Sequence, residues 1–276
     1  MTERPSAVTI EATTQHPNPA GTVSITPGTA PVSIEPLTPR CHAIADTGEH
    51  ACLGISPFNS YFTAERITAL AAWALNTFAS VHFYVPDGPA AYTLEAVGYS
   101  PERAAHKARR QGRWLGNKLR RTLADLGVPD PDPLVLDSAV LDTDTAYMRL
   151  HAEVSDRFAH DPDFASACQS ASGWVLGQRL PAGASPTDDQ MRAAVRYLLA
   201  ELPLFTDTAA ITGTAQSVFC YHQHVAFLNT LFRHQLTWKP APRQGFLVVT
   251  LTEDSSSAPL NHLAEYAPTT EGKEVR

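Results

Sequence analysis

Three short stretches carry side chains able to handle an acyl group. Gly54-Ile55-Ser56-Pro57-Phe58-Asn59 follows the apolar Ala51-Cys52-Leu53 and sets a serine where a buried strand should end. Such a serine is either a nucleophile on an exposed turn or a hydroxyl capping a turn that Pro57 fixes. A hydrolase elbow needs the pattern GxSxG, and position 58 is Phe rather than Gly. A phosphate loop needs more glycines and a lysine. Downstream, Tyr197 and Glu201 stand four residues apart, one helical turn along one face. They read as an acceptor hydroxyl beside a carboxylate, or as a half-buried tyrosine and a surface acid at the edge of the Leu198, Leu199, Leu202 and Leu204 side. The stretch SVFCYHQH ends an apolar run on Tyr221 and His222. Alone, His222 reads as a hydrogen-bonded structural histidine.

Positioning these groups requires alternating strands and helices. Residues 50–55 and 81–85 read as buried strands, with a third candidate at 134–136 and a last at 246–251. The first two strands are separated by a helix over 63–79, with Ile67, Leu70, Ala71, Ala74 and Phe78 on one face. Thr63 suits its N-cap. Ser100-Pro101-Glu102 opens a long helix, with serine for the cap, proline for the first turn and glutamate for the positive end of the dipole. Further helices are expected over 145–159, 164–177 and 188–202. The order predicts an α/β fold, a parallel sheet with helices on both faces. In such sheets, sites form at the carboxyl ends of strands, where Ser56 stands. Proline, threonine and serine dominate residues 1–42, which read as a disordered tail. Residues 43–255 read as a single domain and 256–276 as a flexible tail.

Composition narrows the function classes. The 276 residues are 43% apolar, enough for a substantial core, and no run of 18 apolar residues predicts a membrane helix. The N-terminus lacks the basic start and apolar middle of a signal peptide, and the four cysteines show no metal spacing. A cytoplasmic protein with reduced thiols, no metal and no cofactor is expected. Charge is distributed unevenly. Residues 100–123 hold Arg103, Lys107, Arg109, Arg110, Arg113, Lys118, Arg120 and Arg121 against Glu102 alone, in a chain whose net charge is −7. A solvated helix face is one reading. Unrelieved self-repulsion, together with Gly112 and Gly116 at about 1 kcal/mol each against alanine, favours an external polyanion such as RNA.

Taken in this order and spacing, Ser56, Tyr197 with Glu201, and Tyr221-His222 resemble the cyclodipeptide synthases over residues 45–252. Asn59, Tyr221 and His222 match the asparagine-tyrosine-histidine subfamily. The resemblance implies a Rossmann-like domain similar to the catalytic domain of class I aminoacyl-tRNA synthetases, without their ATP-binding motifs. It implies two aminoacyl-tRNAs as substrates, no DNA or membrane partner, and a monomer. Ser56 would accept the first aminoacyl group, a second aminoacyl-tRNA would extend it to a dipeptidyl-enzyme, and the dipeptide's amine would close a 2,5-diketopiperazine. Tyr197 and Glu201 would hold the substrate ammonium, with Glu201 as general base. Tyr221 would relay a proton, while Asn59 and His222 hold Ser56 and Tyr221 in place. The implied first pocket lies near Cys52, Gly54, Phe83 or Tyr84, Ala171, Leu204 and Phe219. Small Cys52 and Ala171 make it roomy and suited to a large apolar or aromatic side chain. Gln178 and Arg179 would lie near the second pocket. Lys107, Arg109, Arg110, Arg113, Lys118, Arg120 and Arg121 would face tRNA. Two other classes compete: a non-catalytic tRNA-binding module of the same fold, and a serine hydrolase or acyltransferase without an RNA partner.

Overall fold

The computed structural model describes residues 32–181 and 183–251. In chain order the elements are β1 (Val32–Pro36), α1 (Pro39–Ala45), β2 (His50–Gly54), α2 (Ala64–Thr77), β3 (Ser80–Tyr84), α3 (Ala90–Ala96), α4 (Pro101–Asp125), β4 (Val135–Leu136), α5 (Ser138–Leu141), α6 (Thr145–His160), α7 (Pro162–Gly177), α8 (Asp188–Thr212), β5 (Ser217–Tyr221), α9 (Ala226–Phe232) and β6 (Gln244–Leu251). Six strands form one sheet in the order β1-β6-β5-β2-β3-β4, parallel except for β1, which runs antiparallel to β6.

Side-chain alternation along the strands divides the core in two. Ala51, Leu53, Ile55, Val81 and Phe83 pack with Ile67 and Leu70 of α2 and Leu115 and Leu119 of α4. Cys52, Tyr84, Leu136, Phe219 and Phe246 pack on the other face with Val154, Phe164, Leu199 and Leu202 of α6 to α8. The expected α/β architecture is therefore present, and each cap proposed for α2 and α4 forms: Thr63 Oγ1 accepts from Arg66 N–H and Ser100 Oγ from Arg103 N–H. From β2 the chain crosses to β3 on one side, while β5 and β6 lie on the other. Such a switch point opens a crevice at the carboxyl ends of the strands. Ser56, Tyr84 and Tyr221 all stand there. At the opposite edge, His50 bonds Ser217 and His82, tying β2 to both neighbours. Burial, with His82 beside it, pushes His50 down to about 3, so it is neutral.

The tail boundary at residue 42 is corrected. β1 lies inside the stretch read as disordered, and α1 begins there. Its prolines stand where proline is tolerated: Pro36 ends an edge strand, and Pro39 occupies the first turn of α1 behind the N-cap Thr38. Residues 1–31 and the tail expected from 256 lie outside the described residues. α8 also runs past the expected end at residue 202, through Pro203 to a break at Asp207 (φ −158°, ψ 60°).

One glycine of α4 has a packing cause. A Cβ at Gly112 would sit 2.1 Å from Asp87 Cβ. Asp87 in turn accepts the Ser138 N–H, and Gly88 N–H donates to Ser138 Oγ. The helix is thus clamped onto the loop after β3, and Gly112 no longer argues for an external partner. Helix propensity alone predicts that Gly112→Ala gains about 1 kcal/mol. Overpacking against Asp87 costs roughly 1–3 kcal/mol and wins. A lower melting temperature than the wild type is the expected result, and a higher one would show that the loop gives way freely.

Candidate active site

Ser56 is the first residue released from the sheet. The Ile55 N–H donates to Tyr84 O at 2.8 Å, carrying the pairing of β2 with β3 one step past the strand. Phe58 then turns the chain with φ 59°, a left-handed conformation costing roughly 1–2 kcal/mol for an L-residue. Its ring packs onto the cluster of Ala90, Ala91, Ala104 and Ala108, which offsets that cost. The turn holds Ser56 Oγ 3.2 Å from Tyr221 Oη, at the end of β5.

Asn59 organises the other side. Its Oδ1 accepts the Tyr61 N–H at 3.0 Å, so its NH₂ points the opposite way, to His222 Nε2 at 3.1 Å and Tyr221 Oη at 3.5 Å. An amide NH₂ only donates, so Nε2 accepts and the neutral imidazole carries its proton on Nδ1. The ring stacks on Phe62 at 5.2 Å and meets Tyr61 edge-on at 4.0 Å. Burial, and then the charge of Arg66, pushes His222 down to about 3. It stays neutral at ordinary pH and bonds Asn59 rather than Ser56. Among the described residues no histidine bonds Ser56, so the Ser–His pair of a hydrolase is not formed. Burial raises the Tyr221 phenol, against the opposing pull of Ser56 and Asn59.

Tyr197 and Glu201 sit on α8, and Tyr197 Oη donates to Glu201 Oε1 at 2.9 Å. Burial raises Glu201 to about 8, although the Tyr197 bond pulls the other way. Burial raises Tyr84, Tyr197 and Tyr221, and the Glu201 charge adds to each. Arg179 is half-buried, its Nε has no hydrogen-bond partner, and Tyr197 and Tyr221 are the groups that favour its charge. The result is a hydroxyl beside a phenol able to relay a proton, facing a carboxyl that changes ionisation near neutral pH. A carboxyl of that kind can pair with an ammonium and take a proton from it. Among the described residues no group of three or more side chains could hold a metal ion.

The model of the family described as cyclodipeptide synthase matches residues 32–251. This chain belongs to the cyclodipeptide synthase family. It is 32% identical over 217 residues to a cyclo(L-tyrosyl-L-tyrosyl) synthase of Mycobacterium tuberculosis, covering 79% of this chain and 75% of that one. It is 30% identical to a cyclo(L-leucyl-L-phenylalanyl) synthase of Streptomyces noursei, covering 81% and 94%. A solved M. tuberculosis structure, described as demonstrating that cyclodipeptide synthetases are related to type I tRNA synthetases, superposes with a TM-score of 0.72 at 30% identity, covering 84% of this chain and 98% of that one. The protein is therefore an enzyme that forms cyclic dipeptides by aminoacyl transfer, and aminoacyl-tRNAs are its substrate class.

In this cyclodipeptide synthase the remaining residues divide. Of the two candidates on β3, Tyr84 faces the site and Phe83 the opposite core. Cys52, Leu204 and Phe219 are closed into the core rather than lining open space. A Cβ on Gly54 would meet the Phe219 ring at 3.0 Å and Tyr221 at 3.3 Å, so the phenylalanine occupies the room that small residues suggested. Ala171 packs against the same core, and Gln178 ends α7 exposed beside Arg179. Space opens instead in a cleft of about 440 Å³ between Tyr84, Ser138, Tyr147 and their neighbours. Ser138 and Tyr147 carry no local motif, and only the tertiary fold joins them to Tyr84.

On α4, Ala104, Ala108, Leu115 and Leu119 form the buried stripe, and Arg109, Arg110, Arg113 and Arg121 are exposed. Lys107 Nζ donates to Tyr99 Oη at 3.0 Å and Lys118 Nζ to Phe62 O at 3.1 Å. Arg120 pairs with Asp132 at 2.5 Å and with Asp137 at 3.8 Å, so part of its charge is answered within the chain. No helix among the described residues is long and apolar enough to cross a membrane.

Proposed function

We propose that the enzyme runs the reaction through an ester on Ser56. Ser56 Oγ attacks the ester carbonyl of a first aminoacyl-tRNA, the ribose oxygen leaves, and the hydroxyl proton passes to it. The ammonium of the bound group lies against Glu201 and Tyr197. Glu201 accepts one proton from it, and the resulting amine attacks the carbonyl of a second aminoacyl-tRNA. The new amide leaves a dipeptide on Ser56 and frees the second tRNA. The dipeptide's terminal amine then attacks the Ser56 ester, and Tyr221 takes up the amine's proton while giving its own to Oγ as the ring departs. Asn59, oriented by Tyr61 and His222, holds Tyr221 for that step. The supporting observation is the 3.2 Å contact of Ser56 Oγ with Tyr221 Oη. The reading puts the enzyme in the cytoplasm with charged tRNA, as a monomer with neither DNA nor a membrane as partner. Expression in a bacterium, with mass spectrometry of the medium, tests it: a new 2,5-diketopiperazine is expected, and its absence from cells making folded protein counts against the reading.

The exposed arginines of α4 are the proposed tRNA surface. Reversing Arg109, Arg110 and Arg113 to glutamate should raise the KM for aminoacyl-tRNA at least about tenfold and flatten its dependence on salt. An unchanged KM across a salt series would place tRNA elsewhere.

A further inference from the structure

The cleft at the end of β3 carries information about the substrate's side chain. Tyr84, Tyr92, Ser138, Tyr147, Met148 and His151 line it, with Ala200 at its inner wall. Tyr147 Oη donates to Ala200 O at 2.9 Å, which sets that wall one residue from Glu201. Tyr84 pairs in register with Gly54 on the adjacent strand, and the two share a face of the sheet. The face continues to Ser56, two residues on. A group esterified to Ser56, with its ammonium at Glu201, therefore has this cleft beside it.

The cleft is built for more than bulk. Leu141, Met148 and the ring carbons of Tyr147 give the cleft apolar surface, while the Arg196 guanidinium lies over the Tyr92 ring at 3.9 Å. Tyr84 is only 1% exposed, and its hydroxyl has no hydrogen-bond partner. Buried phenols ordinarily find one. Ser138 Oγ accepts the Gly88 N–H at 2.9 Å, which leaves its own proton to donate. A side chain that brings a donor or acceptor satisfies these groups, whereas an apolar one seals them off unpaired. Sites made to bond a substrate OH or NH reject analogues lacking it by factors far beyond those from one methylene.

We propose that this cleft receives the aminoacyl side chain and selects an aromatic one bearing a hydrogen-bonding group, a phenol or an indole, over phenylalanyl and leucyl. The inference rests on the Ser56 acyl-enzyme reading. Its test is the rate at which full-length protein becomes acylated by tRNA charged with tyrosine, tryptophan, phenylalanine or leucine, each alone, read by intact mass after quenching. Tyrosyl or tryptophanyl transfer at least about tenfold faster than phenylalanyl and leucyl is expected. Tyr84→Phe should lower the tyrosyl-to-phenylalanyl or tryptophanyl-to-phenylalanyl ratio at least about tenfold, and Ser138→Ala should move it the same way. The second variant keeps the test open if the first fails to fold. Phenylalanyl or leucyl transfer matching the polar aromatics, or ratios unchanged in both variants, would overturn the selection while leaving the acyl-enzyme intact. No acylation by any charged tRNA would overturn the acyl-enzyme reading and this inference with it.

Discussion

Ser56→Ala is expected to reduce diketopiperazine formation by roughly 10³–10⁶-fold while leaving the fold in place. The size follows from what the hydroxyl supplies. In the proposed route the first acyl step forms an ester at Oγ, the second keeps it and the third breaks it, and no neighbouring side chain offers a substitute nucleophile. Cys52 and Cys220 are the nearest thiols in sequence to the site's strands, but both are buried and burial pushes their thiols up. Stability changes little, because Ser56 gives up one hydrogen bond, to Tyr221, which Asn59 still approaches. A single neutral bond of that kind contributes about 1 kcal/mol. Melting temperature and product yield should therefore separate, and product at wild-type levels from Ser56→Ala would remove the serine from the mechanism.

Glu201→Gln should do two opposite things, losing activity and gaining stability. Glutamine neither pairs with an ammonium nor takes its proton, so a fall of roughly 10²–10⁴-fold is expected. The stability gain follows from linkage. Folding raises Glu201 from 4.5 to about 8, so the folded state binds more protons than the unfolded state between those values. Stability from this group is complete below about 4.5 and is lost as pH rises towards 8. Glutamine has no such dependence and still accepts the Tyr197 hydroxyl proton. The variant should thus match the wild type near pH 4.5 and exceed it by roughly 1–3 kcal/mol at pH 8. Thermal unfolding at the two pH values reads this directly. An equal gain at both would mean that Glu201 is not held neutral by burial.

Much of the site was legible as residue types, because its parts stand at predictable places. Ser56 ends an apolar strand, Tyr197 and Glu201 share a helical face, and Tyr221 closes an apolar run that proves to be β5. Each had a bland alternative until the resemblance joined them; hydrogen bonds from Asn59 and Ser56 to Tyr221 bring the first and last together, and a separate bond pairs Tyr197 with Glu201. Legibility failed where tertiary contact overrides local signal. The prolines of residues 32–45 imitate disorder yet sit at an edge strand and a helix start. Gly112 looks like a poor helix residue until Asp87 is packed on it. Small Cys52 and Ala171 suggest a pocket in sequence, but the Phe219 ring lies against Gly54, and the open cleft is lined by Ser138 and Tyr147. Arg120 reads as an unanswered charge in residues 100–123, because its partner Asp132 lies beyond that segment.

The central claim is that Ser56 carries the aminoacyl group. Full-length protein should be incubated with a mixture of charged tRNAs, quenched in acid, and mapped by peptide mass spectrometry. An added aminoacyl mass confined to the peptide containing Ser56, and absent from Ser56→Ala, is the predicted result. Diketopiperazine production with no such adduct at any quench time, or an adduct on another residue that persists in Ser56→Ala, would contradict it.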